Sequence, residues 1–207
     1  MAVRDIVMYP DPRLREETFE VKEITDDIRQ LVTDLRDTMY SLNAAGIAAI
    51  QIGHLERIFL IDGKVAGGDD DAEPLVFINP EVVETGKGMV VGEEGCLSFP
   101  DVFVEVRRPR WAKLRATNLA GETFECEGEG LMGRALQHEH DHWHGTRVER
   151  QPDPSQRLRA RQLALSLLEL GETVDEAERM LHRWRFHPAI AHDALRWAVA
   201  QVEVASS

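Results

Sequence analysis

Gln137-His138-Glu139-His140-Asp141-His142 is the stretch of sequence around which the fold is predicted to form. On an α-helix, residues four apart point in nearly the same direction, so His138 and His142 can bind one metal ion. Glu139 lies about 100° around the helix axis from His138, where a base can take a proton from water beside the ion. The other residues on the face of the histidines are Leu131 and Ala135. The face is therefore predicted to point into the protein, and the stretch to form a metal site on a buried helix.

The two histidines do not identify the third protein ligand of the metal. A catalytic metal usually has three protein ligands and one free position. Cys96, which follows a glycine-rich turn, would make the site a hydrolase centre with a thiolate ligand. Glu169, on a following helix, would make it a metallopeptidase centre. The residue pattern alone allows both.

The rest of the chain has the pattern of an α+β protein. An amphipathic helix is predicted at about residues 25–43, with Thr25 as its N-cap. Short segments rich in β-branched and aromatic residues fill residues 57–127, separated by Gly, Pro and Asn. Three helices are predicted at about residues 155–170, 174–184 and 190–202. We therefore expect antiparallel strands around the H-E-x-x-H helix, followed by a C-terminal helical extension.

Composition excludes several classes of protein. Hydrophobic residues make up 43% of the 207 residues, enough to bury a core. No apolar run approaches the roughly 18 residues that span a bilayer, and the N-terminal sequence does not resemble a secretory signal, so a cytoplasmic protein is expected. The two cysteines do not make a disulfide framework. A net charge of −13 argues against a duplex nucleic-acid binder, which usually carries a basic face.

Three short motifs resemble those of peptide deformylases. They are G-I-A-A-I-Q-I-G at residues 46–53, E-G-C-L-S at 94–98 and Q-H-E-H-D-H at 137–142, in that family's order and at similar separations. Residues 10–15 also resemble the family's opening segment. The resemblance covers about residues 6–170, so we predict a catalytic domain at 1–170 and a helical extension of unknown role at 171–207.

The resemblance implies a role for each matching residue. Cys96, His138 and His142 would be the metal ligands, and Glu139 the catalytic acid and base. The Gln51 side-chain amide and the Leu97 backbone N–H would stabilise the oxyanion. Residues in or near the motifs are predicted to bind substrate: Ala45, Gly46, Glu94, Gly95, Leu131 and Ala135. The family removes the formyl group from N-formylmethionine on newly made proteins, commonly with Fe²⁺, and accepts Zn²⁺, Ni²⁺ or Co²⁺.

Two further expectations concern partners and departures from the family pattern. In this family the helix after the metal site can contact the ribosome, and here it carries Arg157, Arg159 and Arg161. Some members have an arginine near the bound peptide seven residues after the ligand cysteine, where this chain has Phe103. The amphipathic tail could pack on the domain itself or on a second subunit, so the sequence does not give the oligomeric state.

The remaining alternative to a deformylase is a relative that binds metal but does not catalyse a reaction. Such a protein would most simply have lost Glu139, which is present here.

Overall fold

The computed structural model describes residues 3–8, 11–143, 154–183 and 188–205, which contain five α-helices and seven β-strands. The helices are α1 (Asp26–Ser41), α2 (Gly130–Trp143), α3 (Pro154–Glu169), α4 (Val174–Arg183) and α5 (Pro188–Ala205). The strands are β1 (Gly46–Ala48), β2 (Ile58–Ile61), β3 (Leu75–Thr85), β4 (Met89–Cys96), β5 (Phe99–Pro109), β6 (Trp111–Thr117) and β7 (Thr123–Glu129). Short 3₁₀ helices lie at Pro12–Arg15 and Ala49–Ile52. The predicted α+β class and C-terminal helices are confirmed.

A five-stranded antiparallel sheet lies between α1 and α2. Its strand order is β1-β2-β3-β6-β7. Successive residues of a strand point to opposite faces, and β2 is apolar at every position because both faces are covered. Ile58 and Leu60 pack with the buried face of α1, whereas Phe59 and Ile61 pack with Ala135 and Leu136 of α2. Helix α2, which carries the H-E-x-x-H motif, is thus held against one face of the sheet.

Helix α1 begins where the sequence predicts. The Thr25 side chain accepts a hydrogen bond from the Ile28 N–H at 3.4 Å. Asp26 and Asp27 occupy the first turn, where negative charge stabilises the helix dipole. The apolar face of the helix, including Leu35 and Met39, is buried against the sheet.

Strands β4 and β5 form a separate two-stranded antiparallel sheet. The pairing is regular from Met89 to Gly95, which lies opposite Phe103. The register then shifts, because Cys96 lies opposite Phe99. This irregularity places Cys96 at the end of β4, directly before the turn at Leu97.

Helices α3, α4 and α5 pack on one another. Their small and apolar side chains form a core that includes Ala164, Leu167, Leu181 and Leu195 and contains no residue of the sheet. Helix α3, which the predicted boundary at residue 170 assigns to the catalytic domain, therefore shares its buried face with α4 and α5. None of the helices in the described part of the chain combines the length and the hydrophobicity needed to cross a bilayer.

Candidate metal centre

Cys96, His138 and His142 come together from two elements of the fold. The histidines lie one turn apart on α2, and Cys96 lies at the end of β4. The Cys96 Sγ atom is 3.4 Å from His142 Nε2, and the ligand atoms of all three residues lie within 4.8 Å of one another. Within the described ranges this is the one group of at least three His, Cys, Asp or Glu side chains that could hold a metal ion.

The charge state of Cys96 suits metal binding. Burial raises the pKa of its thiol, but the neighbouring His142 and His138 outweigh burial and bring the pKa well below its ordinary value. The thiolate is the form of cysteine that binds metals. One thiolate and two imidazoles are donors that suit iron, zinc, cobalt or nickel rather than magnesium or calcium. The residues present therefore fit a divalent transition metal.

Glu94 holds His138 in position from behind. Its Oε2 atom lies 2.9 Å from His138 Nδ1, which donates to the carboxylate and so leaves Nε2 for a metal. Arg108 donates two hydrogen bonds to Glu94, at 2.6 and 2.8 Å, and Arg134 donates one at 2.6 Å. Burial raises the pKa of Glu94, but the hydrogen bonds from His138 and Arg108 outweigh it, so the pKa lies well below its usual range. Glu94 is therefore a buried, charged partner that holds the His138 ring from the side of Nδ1.

Glu139 lies beside the ligands in a confined space. It is 5% exposed, and burial raises the pKa of its carboxyl above the ordinary value. A Cβ atom added to Gly46 would lie 2.7 Å from Glu139 Oε1, so β1 approaches the carboxylate as closely as a glycine permits. Among the described residues, Glu139 Oε2 has no hydrogen-bond partner. The carboxylate thus has one oxygen without a hydrogen bond to a described residue, on the helix that carries His138 and His142.

The Gln51 side chain is oriented by a hydrogen bond from the backbone of Ala48. The Gln51 Oε1 atom accepts a hydrogen bond from the Ala48 N–H at 2.9 Å. This fixes the amide so that Nε2 lies 3.4 Å from Cys96 Sγ and 3.4 Å from Ser98 Oγ. Because the side chain is only 2% exposed, its N–H donors are aimed at the site rather than at solvent. Leu97 follows Cys96 in the turn between β4 and β5, which brings its backbone to the same place.

The residues predicted to bind substrate differ in exposure. Ala45 is half-buried directly before β1, and Gly95 is exposed next to Cys96. Ala135 is buried against the sheet, whereas Leu131, one turn earlier on α2, is 61% exposed. Glu169, the ligand of the metallopeptidase alternative, is exposed at the end of α3 and is absent from the Cys/His group.

Two arginines, Arg108 and Arg134, contact Glu94. The Arg108 guanidinium also lies 2.8 Å from the Asp141 carboxylate. Arg134 was missed entirely. A signal was available, because Arg134 precedes His138 by one helical turn and so lies on the side of α2 that faces the same partners.

Glu94→Gln is expected to weaken metal binding by about 10–100-fold, the usual loss when the partner of a ligating histidine is removed. The amide keeps the shape of the carboxylate but loses its charge, so His138 is less basic and less firmly oriented. Competition with a chromogenic chelator would measure the affinity. Glu93→Gln is the matched control, because Glu93 is the exposed neighbour of Glu94. Equal affinities in the two variants would contradict the anchoring role.

A family model described as polypeptide deformylase matches residues 3–157 of the chain. The chain belongs to this family. A peptide deformylase of Rhodopseudomonas palustris (strain TIE-1) is 43% identical over 145 residues, which cover 70% of this chain and 83% of that protein. A peptide deformylase of Clostridium botulinum (strain Alaska E43 / Type E3) is 45% identical over 146 residues, which cover 70% of this chain and 94% of that protein.

Solved deformylase structures have the same fold. A peptide deformylase from Legionella pneumophila superimposes with a TM-score of 0.70 at 38% identity, covering 78% of this chain and 92% of that one. The Thermotoga maritima peptide deformylase gives a TM-score of 0.68 at 35% identity, and the match covers 74% of this chain and 100% of that one. The match to the deformylase family model ends at residue 157, in the first turn of α3, so α4 and α5 lie beyond it.

Proposed function

We propose that this member of the deformylase family removes the formyl group from the N-terminal formylmethionine of newly made proteins and releases formate. The observation that carries the proposal is the position of Cys96. Its Sγ atom lies against His142 and within 3.4 Å of the Gln51 amide, so the three motifs meet at one point. Membership of the family supports the same activity.

The chemistry of formamide hydrolysis gives each residue a task. A divalent metal held by Cys96, His138 and His142 would lower the pKa of water enough to supply hydroxide at neutral pH. Glu139, with its free Oε2 atom beside the ligands, would take the proton and deliver it to the departing amine. The Gln51 Nε2–H and the Leu97 N–H would donate to the oxygen that becomes negative as the tetrahedral intermediate forms.

We propose Fe²⁺ as the native metal, with Zn²⁺, Ni²⁺ and Co²⁺ as ions that the site accepts. The thiolate ligand supports a soft transition metal, and the resemblance to the family supports iron. In free competition zinc would bind more tightly than iron, so metal supply decides occupancy. A thiolate next to iron is also prone to oxidation, so the protein must be prepared without oxygen.

We propose that the methionine side chain binds near Ala45, Gly46 and Ala135, with Gly95 beside the peptide backbone. Ala45 and Ala135 are small residues: Ala45 directly precedes β1, and Ala135 lies on α2, the helix that carries His138 and His142. Leu131 stays a candidate for the outer part of this site, since it is largely exposed. Glu94 is better supported as the anchor of His138 than as a substrate contact.

Formate release tests the proposal against its alternatives. Protein prepared anaerobically with Fe²⁺ should release formate from formyl-Met peptides and leave the acetyl-Met counterparts intact. Cleavage of an internal peptide bond would support a metallopeptidase, although the exposed position of Glu169 argues against it. Bound metal with no hydrolysis of any formyl peptide would support the non-catalytic alternative.

We propose that residues 171–207 are an appendage that the chemistry does not need, following the predicted division at residue 170. A stop codon after Gly171 should leave metal content unchanged and deformylation within a few-fold of the full chain. The truncation exposes the face of α3 that packs on α4 and α5, so the protein should be less stable or more associated. A second stop after residue 153 removes α3 as well and avoids that exposed face. Loss of all activity in a folded, metal-loaded protein that ends at Gly171 would contradict the proposal.

We also propose a contact of α3 with the ribosome, through Arg157, Arg159 and Arg161, which would place the enzyme in the cytoplasm. The side chains of Arg157 and Arg159 lie outside the described residues, and the Arg161 guanidinium lies 5.7 Å from the centre of the Trp197 ring. Contacts of arginine with phosphate weaken steeply as salt is raised. Changing all three arginines to glutamate should abolish co-sedimentation with ribosomes at low salt, and unchanged co-sedimentation would contradict the contact.

A further inference from the structure

The two-stranded sheet of β4 and β5 is attached to the rest of the protein by charged side chains rather than by an apolar core. Among its described side chains only Glu94 and Arg108 are buried, and the apolar residues at the start of β4, Met89–Val91, are exposed. Burial of apolar surface is normally what holds one element of a fold on its neighbours. Because this sheet carries Cys96, the position of the thiol relative to α2 depends on polar contacts.

Arg134 reaches from α2 to both strands of this sheet. Its Nη1 atom lies 2.6 Å from Glu94 Oε1 and 3.0 Å from the carbonyl oxygen of Val106 on β5. Its Nη2 atom donates to the carbonyl oxygen of Val90 on β4 at 3.2 Å. The side chain is 15% exposed, so water competes little for these hydrogen bonds. A planar guanidinium, with several N–H donors in fixed directions, is the side-chain group that suits such a bridge.

Gly92 provides the space that this guanidinium occupies. It lies on β4 directly opposite Val106, two residues before Glu94 and therefore on the same face of the sheet. A Cβ atom at Gly92 would lie 2.8 Å from Arg134 Nη2 and 3.0 Å from Arg134 Cζ. These atoms are the far end of a long side chain, so a larger residue at position 92 would push the guanidinium aside rather than distort the strand. Arg134 and Gly92 are therefore a matched pair.

We propose that Arg134 is a positioning residue of the metal centre, which holds the strand of Cys96 against α2 before a metal binds. The inference rests on the proposed metal site and adds a residue that lies outside the three sequence motifs. The ligands come from two elements, so a loosely held β4 would have to be ordered when the ion binds. The conformational freedom lost at that point would lower the affinity for metal. Arg134 orders the strand when the protein folds, so the ordering no longer opposes binding.

Arg134→Met tests this role without a measurement of activity, because methionine keeps a long, flexible side chain and lacks the guanidinium. We expect the affinity for Zn²⁺, measured by competition with a chelator, to fall about ten-fold, as for other residues that orient metal ligands. In the metal-free protein, the amides of β4 and β5 should exchange with deuterium faster, whereas those of β6 and β7 should not change. The absorption band from the Cys96 thiolate to bound Co²⁺ should need more metal to reach its full intensity.

Gly92→Val tests the pairing while Arg134 is still present. Alone it should lower the affinity for Zn²⁺, because the valine side chain displaces the guanidinium. Combined with Arg134→Met it should add no further loss, because the valine then occupies the space that the guanidinium has left. Losses that simply add in the double variant would show that the two residues act independently and would overturn the inference.

Arg110→Met is the matched control. The Arg110 side chain is 69% exposed, and its guanidinium lies 3.6 Å from Glu129. Its removal should leave metal affinity and exchange at their wild-type values. An equal loss in this variant, or wild-type affinity in Arg134→Met, would overturn the inference. Absence of the thiolate band in the wild-type protein would show that the metal site, and the inference with it, is wrong. A wild-type protein that shows the band but releases no formate would contradict the proposed function alone.

Discussion

Cys96→Ala is expected to lose most of its bound metal and all measurable deformylation. Two imidazoles on one helical turn hold a divalent ion weakly, and in the proposed site the Cys96 thiolate would be the ligand that joins β4 to α2. The neighbouring His142 and His138 bring the pKa of the Cys96 thiol well below its ordinary value, which favours the thiolate form that binds metals. The substitution removes it without introducing a group that could clash. Metal analysis after desalting and formate release would be measured on the same sample.

The second cysteine provides the control for this experiment. Cys126 lies on β7, is half-buried, and packs in the core between the sheet and α2. Cys126→Ala should keep a full complement of metal and near wild-type activity, with at most a small loss of stability. Full metal stoichiometry in Cys96→Ala would show that Cys96 is not a ligand and would remove the observation on which the proposed function depends.

Glu139→Gln should separate metal binding from chemistry. The amide has the size of the carboxylate and fits the space beside Gly46, so the metal content should stay at the wild-type level. An amide cannot accept the proton of the attacking water. We therefore expect kcat to fall by about 10²–10⁴, the contribution of a well-placed general base.

Two measurements decide whether Glu139 acts in this way. Metal content shows whether the ligands stay in place, and kcat at saturating substrate shows the loss of chemistry. Glu129→Gln, an exposed residue at the end of β7, is the control for a change of charge near α2. A Glu139→Gln enzyme that retained a substantial part of the wild-type kcat would exclude Glu139 as the base.

The sequence predicted most of the elements because their patterns are local. The spacing of apolar residues on α1, and Thr25 before it, is enough to place that helix. Strand β1 was not predicted, since its three residues lie within a motif and show no alternation. The two faces of β2 could not be assigned either. All its residues are apolar because α1 covers one face and α2 the other, and only the tertiary fold shows which residue faces which helix.

The candidate site was predictable only where spacing or resemblance encodes it. His138 and His142 follow from helical geometry, whereas Cys96 is 42 residues away and was chosen over Glu169 by resemblance alone. Helical spacing places Arg134 on the same side of α2 as His138, but its contact with Glu94 depends on how α2 packs against the two-stranded sheet, which the sequence does not show. The sequence also did not predict that α3, α4 and α5 share one core, because an amphipathic face does not identify the element that it packs against.

The close approach of Gly46 to Glu139 has a consequence for the energy of the proton transfer. The carboxylate is held in place by the walls around it, with the backbone of β1 against one oxygen, while its other oxygen has no hydrogen bond to a described residue. If Glu139 is the base, as proposed, this oxygen can receive a proton without giving up a hydrogen bond to a described residue. The orientation of the carboxylate would then be set by steric confinement against β1.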